Sequence, residues 1–115
     1  MNRTFALVPL IAVFLAGCTQ IATHHANPPA EAPAEVKVSI DNFTFTPANL
    51  SIVRGTKVTW INHDDVPHTA TSNTKVFASP ALDTDETFSF VFASPGTFPY
   101  YCAVHPHMTG QIIVK

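Results

Sequence analysis

From Glu35 to the C-terminus the chain alternates apolar and polar residues with a period of two, and that alternation most restricts what it can fold into. Val36, Val38 and Ile40 alternate with Lys37 and Ser39, Phe43 and Phe45 with Asn42 and Thr44, and Val58 and Trp60 with Lys57 and Thr59. Leu50 and Ile52 flank Ser51; Phe88, Phe90 and Phe92 alternate with Thr87, Ser89 and Val91; Phe98, Tyr100 and Ile112 to Val114 continue the pattern. Successive side chains of a strand point to opposite faces, so such segments are half-buried strands. Turn signals separate them: Asp41-Asn42, Thr46-Pro47, Arg54-Gly55, Ser79-Pro80 and Ser94-Pro95-Gly96. Helical periodicity is absent, although Val76 to Leu82 has room for a short helical turn. Seven or eight short strands predict one all-β domain over 35–115, an antiparallel sandwich with Trp60 and the Phe88, Phe90 and Phe92 row in its core.

The preceding residues have a different character. Met1 to Cys18 carries one basic residue, Arg3, and then an apolar run from Phe5 to Ala16, the pattern of a secretory signal peptide over 1–17. The run is interrupted by Pro9 and is shorter than the roughly 20 apolar residues that a spanning helix needs. Leu15-Ala16-Gly17-Cys18 resembles a bacterial lipobox, which implies that Cys18 is lipidated and becomes the mature N-terminus. Thr19 stands where an Asp would resemble an inner-membrane retention signal, so the expected anchorage favours the outer membrane slightly. Residues 18–34 are rich in Pro and Ala and read as a semi-extended tether, able at about 3.1 Å per residue to reach about 50 Å. Within it His24 and His25 admit two readings, solvated linker residues or a secondary metal contact.

With Cys18 so accounted for, Cys102 has no partner. An unpaired Cys in an exported chain is intermolecular, reactive or a metal ligand. Its surroundings, Tyr101-Cys102-Ala103-Val104-His105-Pro106-His107-Met108, place a thiolate, an imidazole and a thioether at Cys-x₂-His-x₂-Met spacing. These are donor types of a trigonal His₂Cys copper site with a weak axial Met. Zinc favours a fourth N, S or O donor over a thioether. The bland alternative makes Cys102 a buried thiol and Met108 a core filler. A second His is required, and His68, behind Pro67, is the best candidate; His63, its rival, sits among Asn62, Asp64 and Asp65 and reads as solvated. His107, next to Met108, reads as an exposed loop residue. A formal charge of −2 and no basic cluster make nucleic acid a poor partner.

Two segments together, Trp60-Ile61-Asn62 leading to Pro67-His68, and Tyr100-x-Cys102-x₂-His105-Pro106-x-Met108-x-Gly110, resemble the cupredoxins, most closely the amicyanin and plastocyanin branch. The resemblance covers 35–115. It implies an eight-stranded Greek-key β-sandwich and one copper ion held by His68, Cys102, His105 and Met108. It also implies outer-sphere electron transfer through His105, to transient redox partners docking on the apolar surface around it, including Pro106 and Pro80 or Pro95. The expected state is a monomer, lipid-anchored on the extracytoplasmic side, with no catalytic residue; the alternative function is copper storage or delivery. Two departures from the family pattern stand out. Thr69 replaces the usual Asn, and its hydroxyl is expected to take over part of the tie between the ligand loops. Val104 replaces a frequent Pro, and its N–H is expected to reach the Cys102 sulfur.

Overall fold

The computed structural model describes Pro33–Lys115, with Pro9 and Gly17 as isolated earlier positions. The expected signal peptide, the lipidated Cys18 and the tether with His24 and His25 lie outside the described residues, save the tether's last two. The chain divides into two units, Met1–Ala30 and Glu31–Lys115, and the second carries eight strands: β1 Glu35–Asp41, β2 Thr44–Thr46, β3 Asn49–Ile52, β4 Thr56–Asn62, β5 Thr71–Ser72, β6 Thr87–Phe92, β7 Gly96–Tyr101 and β8 Thr109–Val114.

They form two four-stranded sheets, β2-β1-β4-β6 and β3-β8-β7-β5, the all-β sandwich expected from the alternation and, in its eight-stranded Greek-key form, from the family resemblance. Both sheets also contain a parallel pair, β1 with β4 and β3 with β8. The chain crosses to the other sheet between β2 and β3 and back between β3 and β4. The return sets β4 beside β1 in the same direction, and β8, after its antiparallel turn from β7, lies along β3, so both parallel pairs join strands that no hairpin turn connects.

Inward-facing residues of both sheets meet in one core of Val38, Ile40, Phe45, Ile52, Val58, Trp60, Phe77, Leu82, Phe92, Tyr100, Ile112 and Val114. Trp60 is fully enclosed, with Phe77, Phe88, Phe92 and Tyr100 rings around it at centroid distances of 5.2 to 6.5 Å. Phe92 of the β6 row is buried, while Phe88 and Phe90 are half-buried against the core. Burial pushes the Tyr100 phenol up to about 12.

Val76 to Leu82 forms no helical turn. Its backbone instead makes isolated bridges, Ala78 with Thr71 and Leu82 with His68. Phe43 also departs from its expected place in a strand. Asn42 and Phe43 are the central pair of the β1–β2 hairpin, at φ 49° and 57°. Two positive φ values give the turn a twist that suits a two-residue hairpin, but the second position ordinarily takes Gly. The left-handed conformation costs an L-residue roughly 1–2 kcal/mol, so the surroundings must hold this turn in place.

Candidate metal centre

His68 is fixed before any ligand is considered. Its backbone is clamped to Leu82 by reciprocal bonds of 3.1 and 2.8 Å. The loop leading to it is shaped by Asn62, fully buried at the end of β4. The Asn62 amide donates to the carbonyls of Val66 and Leu82, and its oxygen accepts the Asp64 N–H. That positions Asp64 so that its carboxylate lies 2.7 Å from His68 Nε2. A carboxylate of this kind only accepts, so Nε2 carries the proton and the ring's lone pair is on Nδ1. The Asp64 carboxyl is held below the usual carboxylate range, first by the N–H of Phe43, then by that of Asn42 and by the His68 ring, against the opposing effect of burial.

The other donors come from the β7–β8 connection. Cys102 follows β7 directly, and its N–H donates to the Met108 carbonyl at 3.0 Å; Met108 N–H donates to the His105 carbonyl at 2.9 Å. The loop is thus closed on itself between the last pair of the β7–β8 ladder, Tyr101 opposite Thr109. His68 and Cys102 are fully buried and Met108 is 6% exposed, while His105 is half-buried. His68 Nδ1 stands 3.6 Å from Cys102 Sγ and 3.2 Å from His105 Nδ1. One ligating atom from each of the three lies within 4.8 Å of the others.

Thr69 joins the two loops, as its hydroxyl was expected to do. Thr69 Oγ1 accepts the Ala103 N–H at 2.8 Å, and Thr69 N–H points at Cys102 Sγ at 3.3 Å. Replacing Thr69 by Val keeps the backbone N–H on the sulfur and removes the acceptor for Ala103. An unmet amide of this kind costs about 1–2 kcal/mol. In a domain of this size that lowers the melting temperature by about 4–15 °C. A melting curve within one degree of wild type would show that the tie contributes nothing.

The N–H directed at the sulfur is therefore that of Thr69; the expected bond from Val104 is not among those formed. His63 is exposed, 3.9 Å from Asp85 and apart from the cluster, and His107 is exposed as expected. Pro95 precedes β7 at the end opposite Cys102, about 20 Å away along a six-residue strand, which removes it from any surface around His105. Pro80 stays in the segment that bridges His68 through Leu82. Asp64 and Phe43 also stand at the site, where no motif in the sequence places them. The Phe43 ring meets His68 and His105 edge-on, with centroids 5.2 and 5.0 Å away. The i to i+4 spacing of Asp64 and His68 was the only local signal.

Two imidazole nitrogens facing each other at 3.2 Å repel unless a proton or a cation lies between them. Donor atoms bound to a common ion at about 2.0–2.3 Å stand about 3–4 Å apart, and the measured separations fall in that range. Thiolate and imidazole donors, with a thioether sulfur carried by Met108 in the same closed loop, fit a soft, redox-active metal.

The family model of the cupredoxin-like domain matches residues 8–114. Amicyanin-alpha of Methylorubrum extorquens is 31% identical over 119 residues, covering 98% of this chain and 99% of its own. A solved purple cupredoxin from Nitrosopumilus maritimus superimposes with a TM-score of 0.64 at 35% identity, over 71% of this chain and 99% of that one. A copper-containing nitrite reductase from Thermus scotoductus gives a TM-score of 0.68 at 30% identity, over 72% of this chain but only 23% of that longer one.

Proposed function

The chain belongs to the cupredoxin-like family, and from that premise we infer that it is a type 1 (blue) copper protein carrying single electrons, its one copper held by His68, Cys102, His105 and Met108. The observation that supports this assignment of ligands most directly is the convergence of His68 Nδ1, His105 Nδ1 and Cys102 Sγ at 3.2 and 3.6 Å, with Met108 buried in the same hydrogen-bonded loop as Cys102 and His105. Copper, when bound, supplies the one-electron couple. The chain's own residues do the rest. Asp64 keeps the proton of His68 on Nε2 and leaves Nδ1 free. Thr69 N–H withdraws density from the thiolate, and the Thr69 hydroxyl holds the β7–β8 loop to the His68 loop. Both loops end on sheet ladders, so the donor positions change little between oxidation states and reorganisation is small.

Similarity along the full length of amicyanin-alpha, against 23% of the nitrite reductase chain, favours a carrier over a reductase. Half-buried His105 is the route by which electrons leave, and partners dock transiently over it through the small interfaces such encounters use. Storage or delivery of copper is distinguished by one measurement. A carrier cycles reversibly in voltammetry with its copper retained against a chelator, whereas a delivery protein surrenders it.

The reading of the N-terminal region joins this function to a membrane. Residues 1–17 direct export, Cys18 is lipidated, residues 18–34 tether the 35–115 domain, and the outer membrane is the favoured site. Support comes from Leu15-Ala16-Gly17-Cys18 behind its apolar run and from the stable anchoring that several acyl chains provide. Cys18→Ser is expected to shift the protein from the membrane fraction to the soluble one or to stop its processing. A mature N-terminus other than Cys18 in mass spectrometry would rule the anchor out.

A further inference from the structure

We propose that Phe43 is a positioning residue of the metal centre, a cap that seats the His105 ring and keeps outside ligands off the metal position. The proposal rests on the copper reading above and goes beyond it. The two imidazoles are held in different ways. His68 has Asp64 on its far nitrogen, but among the described residues no carboxylate or carbonyl holds the His105 ring, whose one side-chain hydrogen bond is to His68 itself. The Phe43 ring fills that role by shape. It stands edge-on to His105 at 5.0 Å and 90°, and edge-on to His68 at 5.2 Å and 85°.

Keeping Phe43 there opposes folding twice over. It occupies φ 57°, where Gly would sit without strain, and it leaves a large aromatic residue 48% exposed. Strained backbone persists where surroundings over-determine it, and it gathers at functional sites. The device that over-determines it is the Asp64 carboxylate. One oxygen accepts Asn42 N–H at 2.6 Å; the other accepts Phe43 N–H at 2.9 Å and is also the oxygen bonded to His68. A single side chain therefore fixes the cap and the first ligand relative to each other, and the cap in turn fixes the second.

Phe43→Gly separates this role from a structural one, because Gly relieves the turn while removing the ring. The metal-free variant is expected to melt at the wild-type temperature or higher. Its His105 ring resonances are expected to show fast averaging that wild type lacks. In the copper-loaded variant, azide is expected to perturb the visible band at a concentration at least tenfold below that needed in wild type. Phe43→Tyr, which keeps the ring, should match wild type in every readout. A Phe43→Gly protein with wild-type His105 order and azide response, or one whose sole change is a lower melting temperature, overturns the proposal. Wild-type protein that gives no thiolate-to-copper band would sink the copper reading alone, since His105 order in the metal-free chain tests the cap by itself.

Discussion

Replacing Cys102 by Ala is expected to remove the intense visible band of the copper-loaded protein completely. That band is charge transfer from a thiolate to Cu(II), and Cys102 carries the only free thiol among the described residues. His68 and His105 would still face each other at 3.2 Å, so some copper can remain on two imidazoles, without the band. A second consequence follows from linkage. A metal that binds only the folded chain stabilises it by about 2.7 kcal/mol at a hundred times its dissociation constant. That raises the melting temperature of a domain this size by about 10–20 °C. In Cys102→Ala the copper-dependent rise should shrink to a small fraction of that. The cavity left by one sulfur lowers the metal-free melting point only modestly, so a comparison of copper-dependent shifts isolates the ligand role. If the band survives in Cys102→Ala, or if copper raises both melting temperatures equally, the ligand assignment is wrong.

Most of the fold was legible because each strand buries one face. Val38, Ile40, Phe45, Val58, Trp60 and Ile112 sit at alternating positions, and all are buried. The candidate site was legible for another reason: Cys102, His105 and Met108 lie within one short loop, and soft donors in that order suit a metal such as copper. What escaped depends on contacts far apart in sequence. Asp64 looked like one more solvated charge beside His63 and Asp65. Its carboxylate is instead nearly buried, because the amides of Asn42 and Phe43, 22 and 21 residues earlier, come to it. Phe43 fitted the two-residue alternation of its neighbours, but the turn falls on it and sends its ring to the ligands. Val104 was expected to bond the sulfur only because it carries the N–H that a Pro, frequent there in the family, lacks. The direction of an amide depends on loop conformation, and the loop is set by the ring of bonds through His105, Met108 and Cys102. The parallel pairs β1–β4 and β3–β8 likewise depend on where the chain changes sheets, which no local pattern encodes.

Gly110→Ala is expected to be the most destabilising small substitution near the site, lowering stability by about 3 kcal/mol, the upper end of the usual cost of overpacking. Gly110 lies opposite Tyr100 in the β7–β8 ladder, and the Tyr100 ring folds across it. A Cβ on Gly110 would overlap Tyr100 Cζ and the phenol oxygen and come within 2.7 Å of Cε1. The ring is held where it is: Tyr100 is 1% exposed and packs edge-on against Phe45 and Trp60 at 4.7 and 5.4 Å. Either the ring leaves the core or β8 shifts away from β7. The second course reaches the metal centre, because Tyr100 is two residues before Cys102 and Gly110 two residues after Met108, so the ladder that closes the ligand loop would open at its base. The expected result is a melting temperature lower by about 12–24 °C, with a copper band shifted or weakened in the fraction that stays folded. Adding Tyr100→Leu, which withdraws the ring from the space above residue 110, should recover part of the loss even though that change is itself unfavourable in a native Gly110 background. Such non-additivity is the signature of two residues in direct contact. Equal stability of Gly110→Ala and wild type, or strictly additive effects in the double variant, would mean that Tyr100 does not lie across Gly110 in solution.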